Sequence, residues 1–263
     1  LASEQSHRIN DIEWRLTYEA WRVICCAQYM AEEIRAYFGM PADKIDVIPN
    51  GVDPSQFDAL EGADLSAIRA RNALPHEKIV FFVGRMVAEK GADVLIRAVP
   101  LVLRDYPEAK FVLAGRGPEL ERLRGLAESL GLGSKVTFAG FVSDAERNRL
   151  FKVADCAIFP SLYEPFGIVA LEAMAAGVPV VVSEVGGLKE VVQHAETGIT
   201  IYPGDAASCA WGILHTLQHP HWASRRVENA RRVVRSVYSW DTIAAQTEAV
   251  YHRVVDERLR TAW

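Results

Sequence analysis

The chain has 263 residues, half of them hydrophobic, with 29 basic against 34 acidic side chains and a formal net charge of −5. That apolar content supports a substantial core, in one large domain or two small ones. Acids and bases are interspersed, with no basic block or aromatic-basic stripe, which excludes the usual nucleic-acid surface. The best apolar run, Gly167 to Ser183, contains Glu172 and Pro179 and is therefore no membrane span. No signal peptide is apparent, and the chain begins abruptly, without Met, in helical sequence. The four cysteines, Cys25, Cys26, Cys156 and Cys209, lack metal-ligand spacing and sit in or beside apolar sequence. Two are adjacent, so they read as reduced thiols of a cytoplasmic protein rather than a disulfide framework.

In chain order, the patterning predicts a helix over 6–21, a strand over 22–27, a helix over 28–38 and a strand over 45–49. A Pro49-Asn-Gly51 turn follows, then a helix over 64–72. Val80 to Val83 is an apolar run within a strand over 78–84. Val94, Leu95, Ala98, Val99 and Val102 recur at helical spacing over 92–105. Strands at 109–114 and 135–138 alternate with helices at 118–131 and 144–153. Between 109–114 and 118–131, Gly115-Arg-Gly117-Pro118 is only a fragment of a dinucleotide fingerprint and reads as a tight turn. Further strands lie at 155–160, 179–183 and 198–201, and further helices at 167–176, 187–194, 205–218, 222–236 and 240–259. Strands alternating with helices in this way predict a parallel sheet covered on both faces.

Chemistry concentrates in two strand-to-helix loops. In Ser161 to Met174 (SLYEPFGIVALEAM), the carboxylates of Glu164 and Glu172 bracket Gly167 at the mouth of a helix. Such a junction faces the ligand crevice of an α/β fold. The unpaired N–H groups of Phe166, Gly167 and Ile168 would point outward with the positive end of the helix dipole. Glu172, one turn on and near the face of Ile168, is placed to accept hydrogen bonds from vicinal hydroxyls. A polyhydroxylated anion such as a nucleotide sugar fits this set. Alone, Glu164 reads equally as a simple charge–dipole contact. The second loop, Gly84 to Gly91, carries Arg85 and Lys90, a planar fork and a mobile point charge suited to a pyrophosphate. The plain alternative is a solvated charge pair with Glu89.

Taken together, VIPNGVD (47–53), VGRMVAEKGADVLIRA (83–98), FVLAGRGPELERL (111–123), VTFAGFVSDAE (136–146) and the segment 161–192 resemble the retaining GT-B glycosyltransferases. This family includes glycogen, starch and sucrose synthases and many mannosyl- and glucosyltransferases. The resemblance spans about residues 22 to 260. It implies an α/β fold with a Rossmann-like doubly wound parallel sheet, the carboxy-terminal half of a two-domain GT-B enzyme. On this reading residues 1–39 are a remnant of the acceptor domain, 40–239 the nucleotide-sugar-binding domain, and 240–263 a helix returning to the first domain. The chain would then be a fragment, inactive by itself, of an enzyme moving a hexose from a UDP-, ADP- or GDP-sugar to a sugar or glycan acceptor.

The resemblance also implies roles. Arg85 and Lys90 would hold the donor diphosphate, beside Gly84, with no obligatory metal and no further cofactor. Glu164 would bond the hexose, and the backbone of Phe166, Gly167, Ile168 and Val169 would touch sugar or phosphate. Glu172 would take the ribose, and the backbone around Val142 the base. A glycogen or starch synthase is the near alternative. A nucleotide-sugar-binding module without activity, or an epimerase-like GT-B relative, is the alternative of another class.

Other features carry less. His215 and His219 share a helix face at i, i+4, but without a carboxylate partner they read as a surface cluster rather than a zinc site. Tyr163 is equally a pocket wall or a wedge beneath its loop, and Gly186-Gly187 is placed to line the same crevice. Ile24, Tyr29, Ile34, Tyr37 and Phe38, with Ile243, Val250, Tyr251 and Val254, are expected to pack on an absent first domain. Uncovered apolar surface of that kind favours self-association through 6–38 and 240–259.

Overall fold

The computed structural model describes residues 2–261, with side chains from Ser6 onward. Helix α1 (Ala2–Glu19), strand β1 (Val23–Cys25), α2 (Gln28–Phe38) and β2 (Ile45–Val47) form the amino-terminal segment. Short α3 (Ser55–Asp58) and α4 (Ser66–Asn72) lead into β3 (Lys78–Val83), α5 (Ala92–Asp105), β4 (Ala109–Ala114), α6 (Leu120–Ser129) and β5 (Val136–Gly140). Then follow α7 (Asp144–Val153), β6 (Cys156–Phe159), α8 (Ile168–Ala176), β7 (Val180–Ser183), short α9 (Leu188–Val191) and β8 (Ile199–Ile201). Three helices close the chain: α10 (Ala206–Gln218), α11 (Pro220–Val237) and α12 (Trp240–Arg260). The predicted alternation therefore holds. Helix α3 was not anticipated; it starts after Asp53, whose carboxylate accepts the Ser55 N–H at 2.9 Å.

Six parallel strands order as β5-β4-β3-β6-β7-β8. The chain builds outward from β3 through β4 to β5, then crosses back to place β6 on the other side of β3. This is the doubly wound order, and its reversal point lies between β3 and β6. Successive strand residues point to opposite faces, and both faces are covered. Ile79 and Phe81 of β3, Val112 of β4 and Val180 and Val182 of β7 pack with Leu150, Phe151, Leu171, Met174 and Val234 on one face. Val80, Phe82, Phe111, Leu113, Ile158 and Val181 pack with Leu95, Ile96, Val99, Cys209 and Ile213 on the other.

The two ends of the chain are joined. Strand β2 pairs in parallel with β1, Val23 opposite Ile45 and Cys25 opposite Val47, as a separate two-stranded sheet. The expected division at 39/40 falls between these two paired strands. Ile243, Val250 and Val254 of α12 pack on Ile48, just past β2. Asp46 meets Arg22 at 2.8 Å and Arg253 of α12 at 3.1 Å, and the Trp21 indole donates to Glu257 at 2.7 Å. Ile24, Tyr37 and Tyr251 are exposed, as are Ile9, Ile12 and Leu16 of α1. No helix among the described residues is long and apolar enough to cross a membrane.

Candidate functional site

Strands β3 and β6 run side by side, so the loops leaving their carboxyl ends meet at the reversal point. The loop after β3 is fixed on one flank by the turn after β4. Met86 is fully buried; its N–H donates to Arg116 O at 2.9 Å and its carbonyl accepts Glu119 N–H at 3.0 Å. A Cβ at Gly115 would stand 1.8 Å from Gly84 O, and one at Gly117 2.3 Å from Met86 O. The Gly115–Pro118 turn is thus a close backbone contact that shapes the neighbouring loop.

On its other flank the β3 loop is bound to the β6 loop. A single 3-10 turn, Ala88–Lys90, ends at Gly91 with φ +65°, where a Cβ would lie 1.9 Å from Pro160 O. Glu89 O accepts the N–H groups of Leu162 at 2.8 Å and Tyr163 at 3.3 Å. This contact brings Lys90 Nζ to 2.6 Å from Glu164 Oε2, with Ser161 Oγ at 3.4 Å from the same oxygen. Lys90 and Glu164, expected to serve different parts of a ligand, are partners of each other here. Arg85 is exposed, and its side chain makes no hydrogen bond or ion pair among the described residues. The alternative pairing with Glu89 is not formed.

Gly167, at φ +108°, precedes the first residue of α8. Among the described residues, no intramolecular acceptor takes the N–H groups of Phe166, Gly167, Ile168 or Val169. Gly186 and Gly187 pack against the backbone of this turn. Gly187 N–H donates to Glu164 O at 2.9 Å, and Cβ atoms at Gly186 and Gly187 would strike Glu164 O and Phe166 Cα.

Glu172 lies one turn into α8 and meets Arg147 of α7, Oε1 to Nη2 at 2.9 Å. Burial pushes its carboxyl pKa up; Arg147 opposes that shift and Asp144 adds to it. Arg147 is held in turn by the Asn148 side chain and by Asp144 at 3.0 Å. Sequence reasoning missed Arg147, since nothing in the spacing of α7 shows that it crosses to α8. It also missed Arg116, whose guanidinium lies 5.4 Å over the exposed ring of Phe141. Val142, next to Phe141, is half-buried on the core. Ser143 Oγ then caps α7 by accepting the Glu146 N–H at 3.3 Å.

Tyr163 is tied to the amino-terminal segment. Its hydroxyl donates to Glu33 at 3.1 Å, Tyr29 donates to the same carboxylate at 2.5 Å, and the two rings meet edge to face. Glu190 accepts the N–H groups of Gln28 and Tyr29 at the start of α2. His215 and His219 are stacked with centroids 4.9 Å apart. No group of three His, Cys, Asp or Glu suited to a metal ion occurs among the described residues.

Comparison with known proteins places the chain among glycosyltransferases. The chain is 43% identical over 253 residues to an uncharacterised glycosyltransferase of Methanocaldococcus jannaschii, covering 95% of the chain and 65% of that protein. It is 36% identical to a glycogen synthase of Mycobacterium tuberculosis, covering 94% of the chain and 57% of the relative. Among solved structures, sucrose-phosphate synthase from Thermosynechococcus elongatus superposes with a TM-score of 0.80 at 30% identity, over 98% of this chain and 65% of that one. Anabaena HepE, in complex with UDP and glucose, gives 0.80 at 26% identity, over 89% and 63%. The chain thus spans about three-fifths of the length of these relatives. A Glycosyltransferase Family 4 profile matches residues 2–56. The Glycosyl transferases group 1 profile matches residues 66–233, the whole six-stranded unit with its two site loops, and the chain belongs to that family.

Proposed function

We propose that this chain is the donor-binding part of a retaining hexosyltransferase that uses a nucleoside-diphosphate sugar and delivers the hexose to a sugar or glycan acceptor. The observation that carries this reading is the meeting of Lys90, Glu164 and the unpaired amides of 166–169 at the reversal point of the sheet. Lys90 and Arg85 receive the diphosphate and offset the charge that develops on the leaving nucleotide. Positive charge from the protein takes the place a metal ion would otherwise fill, so no metal is required. Glu164 exchanges part of its contact with Lys90 for hexose hydroxyls. Glu172, anchored by Arg147, accepts the ribose hydroxyls, while the base lies by Val142 and the exposed Phe141 ring. HepE, whose structure holds UDP and glucose, supports the ligand class.

Calorimetry with UDP, ADP and GDP and their hexose conjugates tests this. One nucleotide should bind with its sugar adding affinity, and binding should persist in excess chelator. Failure of all three to bind would overturn the reading. The 263 residues are expected to bind donor without transferring sugar; turnover with a saturable acceptor would contradict that part. The four free cysteines fit a reducing cytoplasm. Exposed apolar residues within 6–38 and 240–259 are expected to drive self-association, which sedimentation would show as a concentration-dependent mass.

A further inference from the structure

Beyond the donor loops, at the far edge of the same sheet, the ends of β7 and β8 and the start of α10 form an open cavity of about 620 Å³. Glu184, His194, Tyr202, Asp205, Ser208 and Trp211 line it, and none of them belongs to the donor site. We propose that this cavity is an accessory saccharide subsite that holds a neutral stretch of oligosaccharide away from the point of transfer. The proposal rests on the hexosyltransferase reading for its biological sense, but its chemistry is argued from the cavity itself.

Its size suits a small ligand, and aromatic walls with a few placed polar groups are what such sites use. Trp211 is 48% and Tyr202 69% exposed, so both rings keep apolar surface open to solvent. A pyranose presents a C–H face to such a ring and a rim of hydroxyls to its polar neighbours. Here the rim meets acceptors and a donor. The Glu184 carboxylate has no partner among the described residues. Asp205 uses one oxygen on the Ala207 and Ser208 amides, at 2.8 and 3.0 Å, which fixes the carboxylate at the cavity wall. His194 Nδ1 accepts the Thr200 N–H at 3.1 Å, so in the neutral ring Nε2 carries the proton and can donate to a hydroxyl.

Other ligand classes fit less well. Two carboxylates repel a phosphate, so this is no second nucleotide site. Trp211 lies between His194, at 16° and 6.3 Å, and His215, at 41° and 5.3 Å, a row of rings rather than the cage a quaternary cation needs. The position also suits a long glycan. Gly204, between β8 and α10, lies beside Leu162 of the donor loop; a Cβ there would be 3.8 Å from Leu162 Cδ2. Gly204 adjoins Asp205 of the cavity wall, so the donor loop passes close to the cavity.

The test is a calorimetric titration of the 263-residue chain with maltohexaose and with a linear α-mannohexaose, each with and without UDP. One hexasaccharide should bind, and Trp211→Ala should weaken it about tenfold, with Glu184→Gln weakening it about threefold. UDP binding should be unchanged in both variants. Because Tyr202 is exposed, Tyr202→Ala serves as a second probe should Trp211→Ala fail to fold, and the same weakening is expected. Absence of binding by the parent protein, or undiminished binding in Trp211→Ala or Tyr202→Ala, would overturn the subsite. Loss of UDP binding alone would strike the donor reading and leave the subsite supported.

Discussion

Arg147 on α7 and Glu172 on α8 form an ion pair at 2.9 Å whose side chains are 18% and 13% exposed. Burial raises the Glu172 pKa, and Arg147 keeps it from rising further. The pair therefore holds a carboxylate ready to accept hydrogen bonds inside a poorly solvated wall. If Glu172 receives ribose hydroxyls, Arg147→Ala should erase the preference for UDP over 2′-deoxy-UDP, which we expect to be about tenfold in the parent, or about 1.4 kcal/mol. Calorimetry on both nucleotides measures this. An unchanged preference would separate Arg147 from the nucleoside. The raised pKa also has a sign: the native state holds the proton to higher pH than the unfolded chain, so stability falls as pH rises past the ordinary Glu value. Glu172→Gln should remove that slope.

The contact between Lys90 and Glu164 leads to a second expectation. Each is the other's partner before any ligand is present, so removing either leaves a part-buried charge. Lys90→Ala should weaken nucleoside diphosphate binding by about 1.5–3 kcal/mol, as for a lost charged hydrogen bond. Glu164→Gln should leave UDP affinity near the parent value while removing the extra affinity contributed by the hexose. Parent-like UDP binding in both Lys90→Ala and Arg85→Ala would remove the diphosphate from this loop.

Much of this site was legible because its groups lie close in sequence to signals the chain displays. Gly84, Arg85, Lys90, Glu164 and Gly167 fall at strand ends and helix starts, where period and turn residues mark the loops. The pairing of β1 with β2 was not legible, since two three-residue strands carry no period that names a partner. Arg147 and Arg116 were missed for a related reason. Their contacts, to Glu172 and Phe141, cross between elements 25 residues apart in numbering. Gly186-Gly187 stood out as a pair, but only packing shows that its missing side chains admit Glu164 O and Phe166.

The same packing argument applies at Gly91. Its φ of +65° and the 1.9 Å that would separate a Cβ from Pro160 O mean that any side chain strains the backbone and pushes the β3 and β6 loops apart. Gly91→Ala should destabilise the protein by at least about 1–3 kcal/mol and displace Lys90 from Glu164. Thermal unfolding and UDP titration of the same variant test both effects. A variant with parent stability and parent UDP affinity would show that the loops meet differently.

The junction of the two chain ends should be acid-labile. Burial alone would raise the Asp46 carboxyl, yet the Arg22 hydrogen bond and the charges of Arg22 and Arg253 outweigh it and hold the pKa below the ordinary value of 3.8. The native state thus releases this proton at lower pH than the unfolded chain. Its stabilisation is fully present above pH 3.8 and is lost as pH falls towards the native pKa. Asp46→Asn should therefore cost about 1–2 kcal/mol at pH 7, because it leaves Arg22 part-buried with no carboxylate at this contact. The gap between variant and parent should narrow below pH 4 as the parent's own Asp46 protonates. Hydrogen exchange locates the effect: faster exchange in α12 around Val250 to Val254, with α5 and α8 unchanged, is the expected pattern. A pH-independent gap, or exchange raised equally across the six-stranded unit, would show that Asp46 does not hold α12 in place.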